Sequence, residues 1–156
     1  MRLTAFTNFA LRTLMYSAMK GHELSRLKDI AKAFGISHAH LTKCVHQLGQ
    51  WGYLENVRGR SGGFRLAKPA SSITIGEIVR RTEDSLDLVE CFNAGTNTCP
   101  LMQMCRLSAT FKRALAKFMQ ELDDMTIADI VANRSELWPL LQHDGPAGEA
   151  PQAPAL

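Results

Sequence analysis

Two short helical stretches parted by a glycine, followed at once by an arginine- and glycine-rich turn between two apolar strands, leave few folds open to this chain. In the first stretch Leu27, Ile30 and Ala31 share a face, Ser25 is the expected N-cap, and the run ends at Phe34. Gly35 breaks the chain, and Ser37 is the expected cap of a second helix from about His38 to Gln50. Gly52 stops that helix. Tyr53-Leu54-Glu55-Asn56-Val57 then reads as a strand, Arg58-Gly59-Arg60-Ser61-Gly62-Gly63 as a turn, and Phe64-Arg65-Leu66 as the returning strand. A glycine turn between two short helices is the mark of a helix-turn-helix, and the hairpin behind it is a wing.

The flanking segments complete a mainly α fold with one small β-hairpin. Phe6, Ala10, Leu14 and Ala18 place a helical face over residues 4–19, ended by Gly21. A helix over residues 73–82 opens on Thr74 and Glu77, a capping-box pair. Residues 84–105 show no sustained period and read as a loop. Leu107, Phe111, Leu115, Phe118 and Leu122 form the stripe of a long amphipathic helix, and Thr126 caps a last short helix, Ile127 to Val131. The expected organisation is a winged helix-turn-helix over residues 1–83, a cysteine loop over 84–106, a long amphipathic helix and C-terminal helix over 107–142, and a disordered tail over 143–156, rich in Gly, Ala and Pro.

At 46% hydrophobic and 21% charged residues, the chain has the means to form a packed core, and global disorder is excluded. A net charge of +3 permits nucleic-acid binding without arguing for it, so the placement of charge decides. No run has the length of a membrane span, and the N-terminus lacks the apolar stretch of a signal peptide. A cytoplasmic location with reduced thiols is therefore expected, and no membrane partner.

A helix that reads DNA needs hydrogen-bonding side chains on one face and packing residues on the other. Ser37, His38, His40, Thr42, Lys43, His46 and Gln47 supply the first set, and Leu41, Val45 and Leu48 the second. In the wing, Arg58, Arg60 and Arg65 offer charge to phosphates or a narrow minor groove, while the glycines among them permit close backbone approach. Arg12, Arg26, Lys28 and Lys32 could add phosphate contacts. Cys44, between the two faces of the second helix, reads as packing.

Cys91, Cys99 and Cys105 follow the pattern C-x7-C-x5-C in otherwise polar loop. Thiolates are soft ligands, selecting zinc, copper(I) or iron–sulfur clusters. No CxxC pair and no nearby His completes a four-ligand zinc set, and an iron–sulfur cluster also takes four ligands, so the fourth comes from elsewhere or is exchangeable. Cys105 sits where the long helix starts, and unpaired N–H groups there favour a thiolate.

Several motifs together resemble a known family. Met1-Arg2-Leu3-Thr4, Thr7-Asn8-Phe9-Ala10-Leu11-Arg12, residues 57–66, Ile75-Gly76-Glu77-Ile78-Val79-Arg80, Leu88-Val89-Glu90-Cys91-Phe92, Cys99-Pro100-Leu101, Cys105-Arg106-Leu107 and Thr126-Ile127-Ala128-Asp129-Ile130 are similar to the iron–sulfur winged-helix transcription regulators, a family that includes NsrR, IscR and RirA. The resemblance runs from Met1 to about Leu141. It implies a homodimer seamed by the long helix, a palindromic double-stranded operator, and a 4Fe–4S or 2Fe–2S cluster on Cys91, Cys99 and Cys105. It points first to the nitric-oxide-sensing repressors, in which the cluster-bound dimer holds DNA and nitric oxide releases it. Those members often carry an aspartate in the first helix as a fourth ligand across the dimer. This chain has Asn8 there, a weaker ligand, as the iron-responsive RirA-like members do. The further His ligand of IscR has no counterpart in Arg106-Leu107-Ser108-Ala109.

Two rivals belong to other classes. An enzyme would need a nucleophile–base pair, a phosphate-binding loop or paired carboxylates, and the sequence offers none. A zinc-stabilised structural or protein-interaction module would use the same cysteines and the same amphipathic helix. Trp51 is expected to pack behind the second helix of the motif, and Trp138 to anchor a C-terminal segment folding back.

Overall fold

The computed structural model describes residues 2–101 and 104–142. The expected disordered tail, 143–156, lies outside the described residues, as do Met102 and Gln103. The first helix, α1 (Ala5–Lys20), starts at Thr4, whose hydroxyl accepts from the Thr7 amide at 3.3 Å. Ala10 and Leu14 are wholly buried on the expected face, but so are Thr7 and Thr13, with Tyr16, Ser17 and Met19 close behind. The helix is buried on more than one side because it is the post around which the rest packs. Two of its buried hydroxyls have partners, Thr13 Oγ1 donating to the Phe9 carbonyl at 2.7 Å and Thr7 Oγ1 meeting Thr82 Oγ1 at 2.7 Å, whereas among the described residues the Ser17 hydroxyl has none.

The helix-turn-helix is α2 (Leu27–Phe34) and α3 (His38–Gln50), with Gly35 between them in the left-handed region at φ 63°. Ser37 caps α3 as expected, accepting from the His40 amide at 3.3 Å. Ser25 does not cap α2. That helix begins one residue later than the expected cap allows, after Arg26, which makes no side-chain cap hydrogen bond. The reason is non-local: Ser25 pairs through its backbone with Phe64, donating at 2.8 Å and accepting at 3.0 Å, and so adds a bridge to the wing.

The wing is an antiparallel hairpin, β1 (Leu54–Val57) and β2 (Gly63–Leu66), in the register Leu54 to Leu66 and Asn56 to Phe64. Phe64 turns into the core at 3% exposure. Gly63 is required where it stands, because a Cβ there would overlap the Ser25 carbonyl oxygen. The wing is thus pinned to the segment before α2, and its tip alone is left to reach outward.

Helix α4 (Ile75–Thr82) opens on Thr74, which accepts from the Glu77 amide at 3.1 Å. The reciprocal half of the expected capping box is not made. The Glu77 carboxylate instead accepts from the buried Tyr53 hydroxyl at 2.5 Å and faces Lys68 Nζ at 3.6 Å, tying α4 to the foot of the wing. After the loop come α5 (Arg106–Asp123), α6 (Ile127–Ile130) and α7 (Arg134–Gln142). A bridge between Thr74 and Thr126, with Ile127 N donating to Ile73 O at 2.8 Å, stitches α6 to the start of α4. Trp138 of α7 packs on Tyr16 of α1 with ring centres 5.3 Å apart, the expected fold-back. Leu14, Ile30, Leu41, Leu48, Tyr53, Ile78 and Ile127 are wholly buried in one continuous core. Each is worth about 1.5–3 kcal/mol relative to exposure, so the winged helix and α6 cohere as one body.

Along α5 the expected apolar stripe is split. Phe111, Leu115, Phe118 and Leu122 are half-buried, Leu107 is 62% exposed, and the residues buried on this helix are Ser108 and Met119. Among the described residues no helix is long and apolar enough to cross a membrane.

Candidate thiol site and nucleic-acid interface

The segment after α4 runs through a 3-10 turn, Glu90–Phe92, on its way to the start of α5. It brings Cys91, Cys99 and Cys105, all half-buried, to the wall of one cavity of about 250 Å³. Val89, Leu101, Leu107 and Phe111 supply its apolar lining. Two devices hold the thiols there. Glu90 Oε1 accepts from both the amide and the hydroxyl of Thr98 at 2.7 Å, which joins the neighbours of Cys91 and Cys99. Those two hydrogen bonds keep the Glu90 carboxyl below its ordinary range. Ser108 joins the other pair: Cys91 Sγ donates to its hydroxyl at 3.3 Å, and its amide donates to Cys105 Sγ at 3.4 Å. Cys105 is the N-cap of α5, where helix amides favour negative charge on sulfur.

Among the described residues no three His, Cys, Asp or Glu side chains stand close enough together to hold one metal ion. The thiols share a cavity wall rather than a single point. Three soft sulfur donors around one cavity, beside a helix N-terminus, fit in kind what an iron–sulfur cluster asks of a protein. Asn8 does not line this cavity. It lies exposed in the first turns of α1, in a depression shared with Arg2, Phe9 and Arg12.

The start of α1 is nonetheless fastened to the start of the cysteine loop. Glu83, the residue after α4, accepts from the Thr4 amide at 2.8 Å, from the Thr4 hydroxyl at 3.0 Å and from the Thr7 hydroxyl. Partial burial opposes its charge, but the donors from Thr7 and Thr4 outweigh burial and hold the carboxyl below its ordinary value.

On α3 the expected division of faces is present. Leu41, Cys44, Val45 and Leu48 are buried, and Ser37, His38, His40, Thr42, Lys43 and His46 are exposed. Gln47 departs from the set: it is half-buried in a cleft with Phe6, Trp51 and Arg81. Some of the exposed groups have local partners. The Thr42 hydroxyl donates to the His38 carbonyl at 2.8 Å, and the Ser37 hydroxyl meets His40 Nδ1 at 2.8 Å. The His40 ring also stacks on Phe9 of α1, centres 5.7 Å apart. Arg58 and Arg60 are exposed at the wing tip, whereas Arg65 Nε is paired with Glu55 Oε2 at 3.0 Å. Between helix and wing lies a concavity lined by Arg26, Lys28, His38 and Asn56. Its basic rim suits a phosphate backbone. Trp51 packs against Phe6 behind α3, as expected.

Ser108, the Glu90–Thr98 clasp, Glu83 and the Phe9–His40 stack were not legible in the sequence. The nearest signal was that Glu90 and Thr98 each immediately precede a cysteine.

Residues 3–133 match the sequence profile of the Rrf2 family, described as iron-dependent transcriptional regulators. The chain is 48% identical over 143 residues to the HTH-type transcriptional regulator NsrR of Shouchella clausii, covering 91% of this chain and 96% of that one. It is 47% identical over 137 residues to the protein aau3 of Rhizobium meliloti, covering 88% and 89%. Among solved structures, IscR of T. potens superposes with a TM-score of 0.70 at 22% identity, covering 94% of each chain, a likeness of fold.

Proposed function

Since the chain belongs to the Rrf2 family of transcriptional regulators, we propose that it is a nitric-oxide-responsive, iron–sulfur-dependent repressor that binds palindromic operator DNA as a homodimer in the cytoplasm. The observation that carries this reading is the convergence of Cys91, Cys99 and Cys105 on one cavity at the N-terminus of α5. The resemblance to nitric-oxide-sensing members and the name borne by the Shouchella clausii relative support it.

When bound, the cluster supplies iron that nitric oxide can attack, and so makes thiolate ligation depend on the signal. The protein's own part is mechanical. Cys91, Cys99 and Cys105 ligate from three points of the loop and fix its path between α4 and α5. Glu83 joins the beginning of that loop to the N-terminus of α1. One turn on, Phe9 rests on His40 at the start of α3. A loop held by its thiolates therefore favours one placement of α3 and of the dimer helix α5. Two half-sites about 34 Å apart accept only a matching spacing of recognition helices. Ligation and DNA then favour the same conformation, and loss of one weakens the other by linkage. Ser37, His38, His40, Thr42, Lys43 and His46 face base edges or flanking phosphates in this reading, and Arg58 and Arg60 lie along the adjacent groove, while Gln47 is turned into its cleft and Arg65 is held by Glu55.

Asn8 keeps a second reading, an iron-responsive regulator, because the RirA-like members that the chain resembles also have asparagine at this place. One experiment separates them: anaerobic purification, absorption spectra, and operator binding before and after stoichiometric nitric oxide. A chromophore that bleaches as DNA is released is the expected result. A chromophore indifferent to nitric oxide but lost on chelation, with DNA released, selects the iron-responsive reading. Colourless protein handled without air overturns both and returns zinc.

A further inference from the structure

Ser108 is the polar side chain of the cysteine cavity that is almost wholly enclosed, at 6% exposure, on a helix whose other faces are mostly open. A serine at the third position of a helix normally turns to water or back to its own backbone. This one turns inward. Its hydroxyl lies 3.3 Å from Cys91 Sγ, and its amide donates to Cys105 Sγ at 3.4 Å. One residue thus touches two of the three sulfurs, by two different groups.

The direction of the first bond depends on the state of the sulfur. A Cys91 thiol donates its proton to the hydroxyl oxygen. A metal-bound sulfur has no proton to give, so the hydroxyl, which rotates freely about its Cβ–Oγ bond, must donate instead. The amide of Ser108 donates in either state. Hydrogen bonds to ligating sulfurs stabilise the more negative form of the group they hold, and such outer contacts tune metal centres.

Resting on the iron–sulfur reading above, we infer that Ser108 is a positioning residue of the thiolate set: through its hydroxyl to Cys91 and its amide to Cys105, it fixes the relative placement of two sulfurs and raises the reduction potential of the group they hold. The backbone bond survives any side-chain change, so substitution isolates the hydroxyl. In Ser108→Ala the equilibrium constant for one-electron reduction falls about tenfold, a downward shift of about 59 mV. Ser108→Thr, which keeps the hydroxyl, restores the potential. A residue that merely filled space would change stability in both variants and potential in neither.

The test has two arms. In the metal-free chain, thermal unfolding of Cys91→Ala, Ser108→Ala and the double variant reads the contact itself. Non-additive shifts in midpoint are expected, and additivity overturns the bridge. In the anaerobically purified chain, spectroelectrochemical titration of wild type, Ser108→Ala and Ser108→Thr reads its use. A potential unmoved in Ser108→Ala, or moved equally in Ser108→Thr, overturns the role of Ser108 alone. A wild-type chain without a chromophore overturns the cluster reading, and the role falls with it for that separate reason.

Discussion

Glu90 Oε1 accepts two hydrogen bonds from Thr98, one from the backbone amide and one from the hydroxyl, each 2.7 Å long. The arrangement closes the loop on itself between the first and second cysteines, with both partners exposed. It is strongest while Glu90 is ionised, and the bonds themselves hold its carboxyl below the ordinary 4.5. The clasp is therefore at full strength above that value and weakens as pH falls through the lower folded-state value. Glu90→Ala is expected to raise amide hydrogen exchange at Thr98 and Cys99 several-fold at neutral pH, while Glu90→Gln, which keeps an acceptor oxygen, gives a smaller rise. Mass-spectrometric exchange on the metal-free chain checks both, and unchanged exchange in Glu90→Ala would show that the clasp does not order the loop.

Gly76 marks the crossing of α4 and α5. A Cβ there would overlap Asp123 Oδ1. Asp123 cannot simply swing away, because Arg80 grips both its oxygens, at 2.5 and 2.6 Å. Gly76→Ala gains roughly 1 kcal/mol of helix propensity but incurs about 1–3 kcal/mol of overpacking, so net loss of stability is expected. Asp123→Ala alone removes a half-exposed ion pair worth at most about 1 kcal/mol. Gly76→Ala with Asp123→Ala should then be more stable than Gly76→Ala alone. Urea midpoints of the three variants decide it.

Cys44 stands apart from the other thiols. It is wholly buried in α3, and burial pushes its thiol from 9.0 up to about 11, against a smaller opposing hydrogen bond from Thr13. A thiol raised in the folded state contributes stability that is complete below 9 and lost as pH rises toward 11, since the unfolded chain ionises first. At pH 8 a disulfide reagent should modify the three loop cysteines of the metal-free chain quickly and Cys44 only as fast as the chain unfolds. Equal rates at all four would mean that α3 opens far more readily than its packing implies.

Much of this architecture could be read from the sequence because it rests on local signals. Gly35 and Ser37 announce the turn and the second helix by their own conformations, and the glycines and arginines of residues 58–63 announce the hairpin. Where reading failed, a distant partner had claimed the residue. Ser25 looks like a cap but pairs with Phe64, and Glu77 completes a capping box on paper but bonds Tyr53. Helix α7 carries Pro139 within it, which masks its period, and it is held by Trp138 against Tyr16. The cysteines were legible as a set from spacing. Ser108 was not, because its relation to Cys91 exists only once the loop folds over the first turn of α5.

The wing arginines divide in a way the sequence could not show. Arg58 and Arg60 stand exposed at the hairpin tip, but Arg65 lies opposite Glu55 in the strand register and is paired with it at 3.0 Å. A phosphate approaching Arg65 would meet the Glu55 carboxylate as well, and the pair presents no net charge. Each phosphate contact contributes about 0.9 to the slope of log affinity against log salt. Arg60→Ala should therefore weaken operator and random-sequence binding alike and lower the salt slope by about 1 per protomer. Arg65→Ala should leave the slope nearly unchanged. Fluorescence anisotropy over about 50–200 mM salt reads both, since phosphate contacts make affinity fall steeply across that interval. If Arg65→Ala lowers the slope as much as Arg60→Ala, the Glu55 pair opens on DNA, and Glu55→Gln should then tighten binding and steepen the slope.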